Sequence, residues 1–76
     1  MPVNARNVSE LVAMIAFKEA LDTQIDILEN EIFENKNDEL KTLLTEELLR
    51  VTTENLSASR DILRMARSLN LTVSWE

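Results

Sequence analysis

The sequence predicts an all-α protein: an antiparallel two-helix hairpin that dimerises into a four-helix bundle, with short extended termini. Three observations carry this. Apolar residues recur at steps of three and four through most of the chain. There is no glycine and the single proline is Pro2, so no ordinary breaker interrupts either run. The stripes are also wider than one neighbouring helix can cover, which calls for a further partner.

The first element starts at "NVSE", where Asn7 can cap and Glu10, three residues on, can reach back to the cap amide. Helix 1 then runs from about residue 8 to 34. Its stripe is Leu11, Met14, Phe17, Leu21, Ile25, Leu28 and Ile32, widened by Ala13, Ala16, Ala20 and Ile27. The helix stops in "FENKNDEL", where Asn35 or Asn37 can take the left-handed conformation that glycine usually supplies. Asn37 or Asp38 caps helix 2, about 38 to 69, and Glu39 favours its positive first turn.

Helix 2 carries Leu40, Leu44, Leu48, Val51, Asn55, Ala58, Ile62, Met65 and Leu69, with Leu49, Leu56, Leu63 and Ala66 as a flanking row. Arg60, Arg64 and Arg67 sit in its last turns, opposite the negative end of the helix dipole. A three-residue link forces the helices antiparallel. Positions summing to about 72 then lie side by side, bringing Lys18 to Glu54 and Asp22 to Arg50 as exposed pairs worth at most about 1 kcal/mol each.

At 76 residues the chain makes one domain, 1 to 76, too small to be comfortably stable alone. With no cysteine and no histidine it has neither disulfides nor ordinary zinc ligands, so oligomerisation is the remaining source of support. The expected interface is Leu21, Ile25, Leu28, Leu44, Leu48, Val51, Asn55, Ile62 and Met65. Asn55, the polar member, can form a layer with Gln24 and Thr52 that fixes register.

An apolar fraction of 45% with 29% charged residues marks a chain built to fold. The formal charge of −6, from 14 acidic and 8 basic side chains, repels phosphate backbones and anionic membranes, so neither nucleic acid nor membrane is an expected partner. No export signal or spanning segment is legible, which makes a cytoplasmic location the expectation. The three Asn-x-Ser/Thr sequons, at Asn7, Asn55 and Asn70, then have no glycosylation context.

Catalytic chemistry lacks its parts. Ser57 and Ser59 have no histidine to activate them, Lys18 at a stripe edge reads as a snorkelling side chain, and glycine-rich phosphate loops are impossible. No cofactor is implied. The expected function is a small non-enzymatic protein–protein interaction module, an adaptor, chaperone or regulator acting as a homodimer on an unidentified protein partner. The acids Glu19, Asp22, Asp26, Glu29, Glu31 and Glu34 also allow an alternative, an acidic phage-type inhibitor that imitates nucleic acid.

A second alternative is a carboxylate metal site. The acids of helix 1, with Glu46, Glu47 and Glu54 on helix 2, resemble half of a ferritin-like or rubrerythrin-like di-iron bundle. That resemblance implies a Glu-x-x-His motif, and Glu54-Asn55-Leu56-Ser57 has serine in the histidine position. In length and plan the chain also looks like the helical-hairpin chaperones of type III secretion needles, dimeric plasmid copy-number regulators and small phage regulators. The tail "NLTVSWE" alternates with the period of a strand, so Leu71, Val73 and Trp75 are candidates for docking on residues 1 to 5 or on a partner's sheet.

Overall fold

The computed structural model describes residues 5–71, with burial given for 6–71. Two helices, α1 (Ala5–Glu34) and α2 (Asp38–Ser68), pack against each other as a hairpin 55 Å long and 19 by 14 Å across. α1 begins ahead of the expected Val8, so Asn7 lies inside the helix and the capping box with Glu10 does not form its start. Ala5 and Arg6 are strong helix formers, and propensity carries the helix past the first polar residue able to cap it.

The turn at residues 35–37 is closed by asparagine side chains. The Asn37 amide donates to Asn35 Oδ1 at 2.8 Å, and Asn37 Oδ1 accepts from the Leu40 amide at 3.0 Å, which makes Asn37 the N-cap of α2. Asn37 is extended (φ −92°, ψ 116°), so the left-handed exit expected at Asn35 or Asn37 is not used. Asn70 (φ 60°) is the one left-handed residue among those described. There the Asn70 amide donates to Arg67 O (3.1 Å) and the Leu71 amide to Ala66 O (2.8 Å), a Schellman termination in which asparagine replaces glycine.

The seam between the helices repeats every seven residues. On α1 it comprises Leu11, Met14, Lys18, Leu21, Ile25, Leu28 and Ile32; on α2, Leu44, Leu48, Val51, Asn55, Ala58, Ile62, Met65 and Leu69. Two apolar clusters result. Leu11, Ile62 and Ala66 are buried with Met14, Ile15, Met65 and Leu69 around them, while Leu21, Leu28 and Val51 are surrounded by Ile25, Leu44, Leu48 and Ala58. Phe17, expected in the stripe, is 54% exposed, and Lys18, expected at its edge, is only 8% exposed. A seven-residue repeat steps from Met14 to Lys18 to Leu21, and Phe17 falls on neither of its rows.

Candidate interaction surface

The nine residues expected at a subunit interface lie in this seam. Leu21, Leu28, Val51 and Ile62 are buried between the hairpin's own helices, and Ile25, Leu44, Leu48, Asn55 and Met65 are half-buried there. Between the two clusters runs a polar layer. Lys18 Nζ donates to both Asp22 oxygens (3.0 and 3.3 Å), and Asn55 Nδ2 crosses the hairpin to Asp22 Oδ1 at 2.6 Å. The lysine stem is buried while its charge reaches a half-exposed carboxylate, so the ion is kept paired and partly hydrated.

Asn55 thus joins a polar layer, but its partner is Asp22; Gln24 is exposed. The hydrogen bond from Lys18 holds the Asp22 carboxyl below its ordinary value; burial is the next effect and opposes it, and the Asn55 hydrogen bond and the positive charge of Lys18 lower it further.

The expected cross-helix ion pairs give way to pairs within each helix. Lys18 takes Asp22, and Arg50 bonds Glu47 (2.6 and 2.8 Å) and Glu54. Glu47 is held below its ordinary value by the Arg50 guanidinium, whose own value is raised. The shift in register has a geometric cause. Helical side chains lean toward their own N-terminus, so in an antiparallel pair two side chains approach each other from different levels, and Asp22 meets Asn55 rather than Arg50.

The seam leaves two open flanks of different chemistry. On one, Ala13, Met14 and Phe17 of α1 face Glu54, Ser57, Ala58 and Asp61 of α2 across a shallow groove of about 510 Å³. On the other, the Asp22 and Asn55 side, α2 presents Leu49, Leu56 and Leu63, at 65, 62 and 47% exposure. Sequence reasoning saw these leucines as a widening of the stripe. The signal that sets them apart is their own seven-residue spacing, out of phase with the seam.

The carboxylates that suggested a metal site are dispersed: Asp22 is engaged by Lys18 and Asn55, Glu47 and Glu54 by Arg50. Among the described residues no group of three His, Cys, Asp or Glu side chains is placed to hold a metal ion. Ser57 lines the open groove beside Glu54 and Asp61, with no imidazole in the chain to act as base. No described helix is long and apolar enough to cross a membrane. Of the docking residues suggested for the tail, Leu71 is exposed, with its amide tied to Ala66; Val73 and Trp75, and the suggested pairing with residues 1 to 5, lie outside the described residues. Comparison with known proteins returns no family model, curated protein or solved structure that matches this chain.

Proposed function

We propose that the chain is a non-enzymatic protein–protein interaction module that works as a helical homodimer, two hairpins making a four-helix assembly. One observation carries this: Leu49, Leu56 and Leu63 stand largely in water along one side of α2 although the seam is already filled. Apolar side chains aligned along a surface, rather than scattered singly, mark a contact with another molecule. The size of the chain points the same way, since so small a domain gains most of its missing burial by association.

An adaptor, chaperone or regulator acts through shape and charge, and this hairpin supplies both without a catalytic group. Sedimentation equilibrium across micromolar concentrations tests the assembly: the expected mass is twice 8.7 kDa. A fully helical monomer over that range would refute the homodimer.

A further inference from the structure

The open side of α2 is more ordered than a patch of leucines. Thr45, Leu49, Thr52, Leu56, Ser59 and Leu63 follow one another at steps of four and three, a second seven-residue seam rotated away from the first and meeting it at the buried Ala66. It contains no charge and runs for roughly 27 Å at 1.5 Å per residue. Large and small side chains alternate along it. The Thr45 hydroxyl already donates to Lys41 O at 2.7 Å, so a leucine laid over Thr45 strands no donor there.

We propose that this second seam receives the same seam of a second copy, α2 against α2 and antiparallel, about a two-fold axis between Thr52 and Leu56. The inference rests on the homodimer reading and specifies its geometry. The axis sets Leu49 opposite Ser59, Leu56 opposite Thr52 and Leu63 opposite Thr45, so every leucine meets a short side chain and fills the space beside it. A parallel pairing in register would stack leucine on leucine and leave gaps between.

Charge selects the same arrangement. Along the outer edge of the seam α2 is acidic at its N-terminal end, with Glu39 and Glu46, and basic at its C-terminal end, with Arg60 and Arg67, all exposed. Antiparallel pairing lays each acidic end along the basic end of the second copy, whereas parallel pairing places like charges together. The adjoining side of α1 carries Glu19, Asp22, Asp26 and Glu29, which disfavours packing α1 against its own counterpart and leaves α2 as the central pair. The groove at Phe17, on the opposite flank, is left uncovered.

The test uses the full chain. Leu56→Asp is expected to yield a helical monomer, and Phe17→Asp, on the far flank, to remain a dimer. A dimer dissociated by Phe17→Asp but not by Leu56→Asp would overturn the proposed geometry while sparing the homodimer, whereas a wild-type monomer would remove both.

If Leu56→Asp fails to fold, exposed charges still decide the matter. Glu46→Arg places like charge against Arg60 of the second copy, and Arg60→Glu places like charge against Glu46 of the second copy. Each variant alone is expected to weaken its dimer about tenfold, and an equimolar mixture to recover wild-type affinity as a heterodimer. Unchanged affinity in both variants, or no recovery on mixing, would overturn the antiparallel α2 pairing.

Discussion

The two helices differ instructively. α1 is the more apolar, yet α2 is much the more amphipathic. Outside the seam α1 scatters its apolar residues, with Val12, Phe17, Ile27 and Phe33 exposed at different angles around the helix. α2 leaves Leu40 and Leu43 exposed near its start, but beyond them it collects Leu49, Leu56 and Leu63 into one line and keeps charge off it. Apolar content alone therefore does not make a contact surface. Periodicity does, because only a row of side chains with a common phase can be covered by one straight partner.

The largest effect that sharpens this contrast belongs to the seam. Ile62 is 0% exposed, and Ile62→Ala is expected to destabilise the protein by about 3 kcal/mol, from lost burial and the cavity left between rigid helices. Urea unfolding measures it; a loss under about 1 kcal/mol would mean that the cluster with Leu11 and Ala66 is loosely packed.

Next comes the polar layer. Asn55→Ala removes the cross-helix bond to Asp22 and should cost about 1.5 kcal/mol, the lower end of the range for a hydrogen bond to a charged group, because this one is partly exposed. The same layer gives an acid dependence. Because the folded state depresses the Asp22 value, its contribution is present above the ordinary value of 3.8 and is lost as pH falls through the lower folded value. Asp22→Asn should flatten that part of the stability curve in acid titrations followed by circular dichroism.

The smallest effect tests the scatter on α1. Phe33, at 89% exposure, contributes little to the hairpin, and Phe33→Ser should change its stability by less than about 0.5 kcal/mol. A substantially larger loss in thermal melts would show that α1, like α2, has an organised outer row.

Much of this architecture was legible in the residues. Glycine-free runs with apolar steps of three and four identify both helices, and three residues between them leave no path except a hairpin. Asn37 was readable as a cap because its side chain needs only a local amide. Asn35 and Asn37 were equally eligible for a left-handed exit from α1 and neither takes it, whereas Asn70, at the end of α2, does. Local sequence makes such a conformation possible in asparagine without requiring it.

The seam was harder to read. A stripe with steps of three and four admits either Phe17 or Lys18 after Met14, and hydrophobicity favours phenylalanine. The packed pair takes lysine because its long stem can lie in the seam while its ammonium reaches Asp22, whereas Phe17 falls outside both rows of the repeat. Ion-pair register failed for a related reason: chain levels ignore the lean of side chains toward each helix N-terminus.

By itself, then, the sequence determined that there are two helices, that a short link capped by Asn37 joins them, and the broad faces, because backbone preference, a local side-chain cap and apolar period are local properties. Only the tertiary structure decided which of two overlapping rows fills the seam, that Asp22 bridges Lys18 and Asn55, and that Leu49, Leu56 and Leu63 are left over. Those outcomes depend on how two helices interlock, and interlocking is a property of the pair that neither helix carries alone.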